Sequence, residues 1–433
     1  MKKFLTFLIA MTLFPAFGQE TLQLSLKECI QYAENHNITL VSGGLDINTA
    51  EIQLKQAKLK MTPTVSAGLG QNFGYSHGNE AFSIGGNYSI NAGIDIFRGL
   101  AIRNGIKQSE LQLNQAQLQV EQSKNQIRIN IIRSYLTILM NQEKLSYQDS
   151  VLQTTREQVL QGEYKYKVGK ILESDYMLLQ AQYISDSINI ENTKIAIDNE
   201  YVTLRNLLNL NNNQSLTITV PTEEQLASSM NVPELNTVLQ QALGYLPEKR
   251  IKETAIDIAE YDVKIAKGSY YPSITASAGV STGYNAAYGS DMNGLQSGLY
   301  KGLGENIGVN VSIPIYNQGN VRNNVKLKEI AVQRAELALQ NVENEISQEI
   351  EAYYLDVKKA YNDYTLSERQ QAAYYANYMA YYQKLKVGSI TVVDFLQQEN
   401  NYLNILNNYM QNKYSFLLQK KVLDVYTGQP VEL

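Results

Sequence analysis

Chemistry in this chain would have to come from a short roster of residues. The two histidines, His36 and His77, are far apart, and Cys29 is the only cysteine. These spacings assemble no metal site, and one thiol cannot form an internal disulfide. A lipid anchor on Cys29 would need a small residue before it, but Glu28 stands there. Gly302-Leu303-Gly304, followed by Glu305-Asn306-Ile307, imitates part of a dinucleotide fingerprint. It lacks the third glycine and lies inside an alternating strand pattern. What remains is charge and hydrogen bonding. Lys165, Lys167 and Lys170 surround Val168-Gly169, and Lys384 and Lys386 precede Val387-Gly388. Glu163, Asp175 and Asp394 lie nearby, and Tyr374, Tyr375, Asn377, Tyr378, Tyr381 and Tyr382 form a polar aromatic run. Such groups suit a docking surface or a lined aperture. The sequence reading is a protein that is not an enzyme and takes no cofactor or metal.

Composition narrows the partners. Charged residues make up only 18%, tyrosines number 31, and the net charge of −5 argues against nucleic acid. The opening MKKFLTFLIAMTLFPAFGQE has a basic start, an apolar core and small residues at Ala16 and Gly18. This predicts a signal peptide over 1–18, cleaved after Gly18. Its core is too short for a permanent membrane span, and no later segment has a continuous apolar run long enough for a transmembrane helix.

The groups at the two Val-Gly sites recur because the chain is duplicated. IRNGIKQSELQL (102–113) resembles VRNNVKLKEIAV (321–332), and at the same offset YKVGKILESDY (166–176) resembles LKVGSITVVDF (385–395). GIDIF (93–97) matches SIPIY (312–316) in the same frame. Met61-Thr62-Pro63-Thr64 matches Tyr270-Tyr271-Pro272-Ser273 at a slightly smaller offset. The expected organisation is a first repeat over 19–209, a linker over 210–233, a second repeat over 234–425 and a tail over 426–433.

Each repeat contains two alternating strands, expected at 64–76 and 82–97, then at 273–285 and 302–316. Phe82, Ile84, Tyr88 and Ile90 alternate with Ser83, Asn87, Ser89 and Asn91 until Phe97 breaks the pattern; Ile307, Val309 and Val311 alternate with Asn306, Gly308 and Asn310. A half-buried sheet in a soluble domain alternates too, but its wet face carries Lys, Glu and Thr. Glycine, serine and asparagine instead suit the crowded inner wall of a barrel whose outer face meets lipid. The lipid-facing set is therefore Phe82, Ile84, Tyr88, Ile90, Ile307, Val309 and Val311. Glu305 is the one discordant charge on that parity.

After each strand pair comes a long proline-free stretch, expected helical over 101–168 and 320–387. Ile102, Ile106, Ser109, Leu113, Ala116 and Val120 follow coiled-coil steps of three and four. At about 1.5 Å per residue such a helix is roughly 100 Å long, too long for a globular core. The glycines after each Lys-Val predict left-handed caps, with return helices over 172–209 and 391–425. Lead-in helices are expected over 25–60 and 234–269. Leu216 to Val220 and the C-terminal tail would form a belt.

Together the duplicated strand pairs, the long helices, Pro63 and Pro272 before the strands, and the paired Val-Gly turns followed by Asp175 and Asp394 resemble the TolC-type outer-membrane efflux proteins over nearly the whole mature chain. The resemblance implies a homotrimer in the outer membrane, with a twelve-stranded transmembrane β-barrel and long α-helical hairpins forming a periplasmic tunnel. It implies partners: a periplasmic adaptor at the tips (Lys167, Val168, Gly169, Lys386, Val387, Gly388) and an inner-membrane transporter supplying energy. Family members often narrow the tunnel near the tips with aspartates. Here the stretch from Gln370 to Lys386 has none, so Glu163, Asp175 and Asp394, or Tyr374, Asn377, Tyr378 and Tyr381, are the aperture candidates. The expected function is a passive exit duct for drugs or other small molecules. A duct for one-step protein secretion and a soluble periplasmic coiled-coil scaffold stand as alternatives.

Overall fold

The computed structural model describes residues 21–78, 81–211, 214–222, 233–287 and 298–433. The expected leader and much of the 210–233 linker lie outside the described residues. The fold is mostly helical and internally duplicated. In chain order it runs β1 (Thr21–Leu24), α1 (Leu26–His36), α2 (Ile38–Leu59), β2 (Thr64–Ser76), β3 (Ala81–Arg98), α3 (Ala101–Lys167) and α4 (Glu173–Leu208). Then come β4 (Ser215–Ile218), α5 (Leu235–Tyr245), α6 (Pro247–Gly268), β5 (Ser273–Ala287), β6 (Gly304–Ser312), α7 (Asn320–Lys386) and α8 (Val392–Tyr426). The chain forms two compact units. Among the described residues, one lies within 21–42, 121–246 and 344–433, and the other within 43–120 and 247–343.

The second unit holds a four-stranded antiparallel sheet in the order β2-β3-β5-β6, leaving β2 and β6 as edges. Its register settles the two-faced pattern. Leu69, Tyr88 and Thr282 share one row, and Ala67, Ile90 and Val280 the next on that face, with Val280 paired to Glu305. Asn91, Gly279 and Asn306 share a row on the opposite face. The break at Phe97 is a β-bulge. Asp95 pairs with Thr275 but Phe97 with Ile274, so Ile96 is the extra residue. The insertion returns Phe97 to the apolar parity. Gly86 lets the Tyr284 ring lie across the sheet, since a Cβ there would collide with it. The Tyr284 hydroxyl then reaches Gln71 Oε1 at 3.0 Å.

The fourth strand is shorter than the sequence pattern suggests, Gly304–Ser312 rather than 302–316. Gly302 donates its N–H to the Gly298 carbonyl, closing a helical turn before the strand. At the other end Pro314 has no N–H to give the ladder.

Each expected lead-in helix is two helices. Between α1 and α2, Asn37 is extended (ψ 128°). Its side chain accepts from Thr39 N at 2.9 Å and donates to the Leu207 carbonyl at 2.7 Å. Between α5 and α6, Leu246 is extended (ψ 129°) because Pro247 disfavours helical geometry in the residue before it.

The first unit carries the larger core. Ile131, Ile132, Tyr135, Leu136 and Ile138 of α3 pack with Cys29 and Ala33 of α1, Leu204 and Leu208 of α4, and Leu417 and Val422 of α8. The parallel pair of β1 and β4 covers part of it, in register from Thr21↔Ser215 to Leu24↔Ile218. Tyr135 inserts its hydroxyl to donate to the Thr219 carbonyl at 2.5 Å. Cys29 is fully buried, and burial beside Glu28 pushes its thiol up to about 12. It is a packing residue without thiolate chemistry.

Candidate functional site: the hairpin tips

Both long helices end in the same hydrogen-bonded form. At the first tip, Gly169 N donates to Tyr166 O (2.9 Å) and Lys170 N to Lys165 O (2.8 Å). At the second, Gly388 N donates to Leu385 O (3.1 Å) and Ser389 N to Lys384 O (3.0 Å). These are paired Schellman motifs, and each needs a residue in the left-handed region. Gly169 and Gly388 both sit at φ +73°. Nothing lies within 4 Å of a Cβ built on either, so conformation rather than crowding demands glycine. Val168 and Val387 are left exposed at the turns.

The two tips line one cleft of about 640 Å³, with Lys165, Lys170, Asp175, Lys386, Val387 and Tyr382 on its walls. The charged candidates there are not equivalent. Glu163 pairs with Lys167 at 2.7 Å, one turn along α3. Asp394 is consumed in a capping box, accepting from Thr391 Oγ1 at 2.6 Å while its N–H donates to Thr391 Oγ1 at 3.1 Å. Asp175 forms no hydrogen bond or ion pair of its side chain among the described residues, and its carboxylate is half-buried on the cleft wall. Lys384 and Lys386 lie over the rings of Tyr381 (5.0 Å) and Tyr382 (4.5 Å). The helix start after the first tip, at Leu172, lacks the side-chain cap that Thr391 provides at the second.

The tyrosine run faces its own return helix. Tyr378 stacks on Tyr402 (5.2 Å) and packs against Phe395 (5.8 Å). Tyr374 packs partly buried against the Tyr402, Leu406 and Met410 cluster. Tyr381 does the same beside Val392, Phe395 and Leu396. Asn377 is exposed and donates to Gln398 Oε1 at 2.9 Å.

Sequence reasoning missed a buried carboxylate pair behind these rings. Glu399 of α8 is 1% exposed and Asp186 of α4 is 6% exposed. Asp186 accepts from Thr155 Oγ1 (2.8 Å) and Gln182 Nε2 (2.9 Å). Burial raises its pKa, partly opposed by those two bonds. Glu399 Oε1 receives only a long bond from the Tyr378 hydroxyl (3.5 Å), and Oε2 has no partner. Burial, then the negative charge of Asp186, pushes Glu399 up to about 8. The signal was available: Phe395, Glu399, Tyr402, Leu406 and Met410 follow steps of three and four, placing a carboxylate in an apolar seam.

On the sheet, Phe82 and Ile90 are exposed, as are Ile307, Val309 and Val311, while Ile84 and Tyr88 are half-buried. Ile307 leaves 90% of its surface uncovered in one chain. No helix among the described residues is long and apolar enough to cross a membrane.

The profile of the outer membrane efflux proteins matches residues 29–210 and 238–429. The chain is 24% identical over 432 residues to the outer membrane protein TolC of Salmonella enteritidis, covering 97% of this chain and 85% of that protein. Its fold resembles the Campylobacter jejuni CmeC outer membrane channel, with a TM-score of 0.75 at 17% identity over 94% of this chain and 86% of the other. It also resembles the open state of the Neisseria gonorrhoeae MtrE outer membrane channel, with a TM-score of 0.76 at 16% identity over 94% and 89% of the two chains. The repeated strand pairs, the twinned tips and these likenesses converge: the chain belongs to the outer membrane efflux protein family.

Proposed function

We propose that this protein is the outer-membrane exit duct of a three-part efflux system, working with a periplasmic adaptor and an inner-membrane transporter. The observation that carries the reading is the sheet. It has two unpaired edges, an apolar face left uncovered, and an opposite face of glycine, serine and asparagine. Each large apolar side chain left in water forgoes about 1.5–3 kcal/mol of burial, and free strand edges seek partners. Pairing β6 of one copy with β2 of the next satisfies the edges, and lipid against the outside of the closed sheet satisfies the apolar side chains. Two copies would give a barrel that its own side chains nearly fill, whereas three give twelve strands and an opening. A homotrimer with lipid outside and water inside follows, its leader removed after Gly18.

The tips are the adaptor-docking surface in this reading, with Val168 and Val387 as its apolar contacts and Lys165, Lys167, Lys170, Lys384 and Lys386 around them. Asp175 is the aperture charge, because Glu163 is paired and Asp394 is spent on a cap. Opening is a shift between packed helix arrangements of the hairpins. A heat-labile oligomer in detergent that conducts ions in planar bilayers is the expected result. Extraction of a monomer without detergent, and no conductance, would instead indicate a periplasmic scaffold. Deleting the gene should raise sensitivity to toxic small molecules; loss of a secreted protein with unchanged sensitivity would point to a protein secretion duct.

A further inference from the structure

The pair of Asp186 and Glu399 has no use in the docking or lining roles above. Four helices meet around it. Thr155, Gln158 and Tyr147 come from α3, Asp186 and Gln182 from α4, Tyr378 from α7, and Glu399 and Tyr402 from α8. Among the described residues, no lysine, arginine or histidine forms an ion pair with either carboxylate. The other titratable groups facing the pair are Tyr147, Tyr378 and Tyr402, and burial raises Tyr147 and Tyr378 further, keeping them neutral.

The unsatisfied atoms explain what is missing. Glu399 Oε2 is buried without a partner, and so are both side-chain amide atoms of Gln158, which faces it. An ionised Glu399 can only accept, so it can use the Gln158 amide nitrogen but leaves the amide oxygen without a donor. One proton on Glu399 converts its carboxyl oxygen to a donor and gives the Gln158 oxygen the hydrogen bond it lacks. It also removes one of two negative charges from a space with no counter-charge.

We propose that Glu399 and Asp186 form a proton-held latch joining the two return helices, α4 and α8, closed while Glu399 keeps its proton and loosened when that proton passes to water. Loss of the proton leaves two negative charges between the hairpins, which move apart or admit water to relieve them. That this loosening favours an open periplasmic end rests on the duct reading; the latch itself does not.

The sign follows from linkage. Folding raises the Glu399 pKa from 4.5 to about 8, so its neutral form stabilises the fold fully below pH 4.5. That contribution is lost as pH rises towards about 8 and is constant beyond it. The test is thermal melting of the full-length protein in detergent, wild type against Glu399→Gln, across this window. The wild-type melting temperature should fall relative to the variant as pH rises, then run parallel above about 8. Asp186→Asn should move the break to lower pH and shrink the loss of stability across the window, because the neighbouring negative charge that helps hold the Glu399 proton is gone. Parallel wild-type and Glu399→Gln profiles throughout would overturn the latch. Should the glutamine variant fail to fold, infrared spectra of the wild type decide: a carboxylic-acid stretch at neutral pH that vanishes on alkalinisation supports the latch, and its absence overturns it. In planar bilayers, wild-type open probability should rise with alkalinisation and that of Glu399→Gln should not. A protein that never conducts would count against the duct reading, while the melting and infrared arms still decide the latch.

Discussion

Gly169 and Gly388 show how much a single position can carry without making a side-chain contact. Their left-handed backbone costs an L-residue roughly 1–2 kcal/mol, and the open space around them means that little else changes. Gly388→Val should therefore destabilise the second tip by about that amount. It should reduce efflux-dependent resistance while leaving the oligomer intact, as resistance assays and detergent gels would show; unchanged resistance would remove the tips from the docking surface. These glycines were legible because helix ends obey local rules. Glu399 was not read from its number in the chain, since a lone glutamate in a polar helix looks solvated until its neighbours Phe395 and Tyr402 are seen to be core. Asp394 looked like an aperture charge, but Thr391 three residues earlier marks it as a capping partner.

At the scale of elements, the two hairpins are copies with unequal ends. The return helix α8 starts with a capping box and α4 with the exposed Leu172, which has no side-chain cap. Thr391→Ala should cost about 1 kcal/mol. Leu172→Asp should gain a similar amount by supplying the missing acceptor; the two shifts are measurable as opposite changes in thermal unfolding. The long helices and the strand alternation were readable from periodicity over many residues. The breaks at Asn37 and Leu246 were less so. Pro247 announces the second, but Asn37 acts through a bond to Leu207 that only tertiary structure reveals. The bulge at Ile96 was visible as the break at Phe97, though its cause was not. Deleting Ile96 should remove the bulge yet leave Phe97 opposite Ile274 on the apolar face, so the heat-labile oligomer should persist on gels, whereas inserting a residue after Phe82 should flip the apolar set that follows it and abolish the oligomer.

For the whole molecule, the sheet edges are the feature with the widest reach. The strand that ends the row, β6, has 9 residues, while the one that begins it, β2, has 13. They are different surfaces, so contact between copies is head to tail, and it stops growing only when the last subunit meets the first. A copy impaired on one flank alone can still join through the other and occupy a place that never seals. In a cell making both forms, such an allele should be dominant, spoiling most assemblies it enters, whereas a copy lacking both flanks should be recessive and harmless.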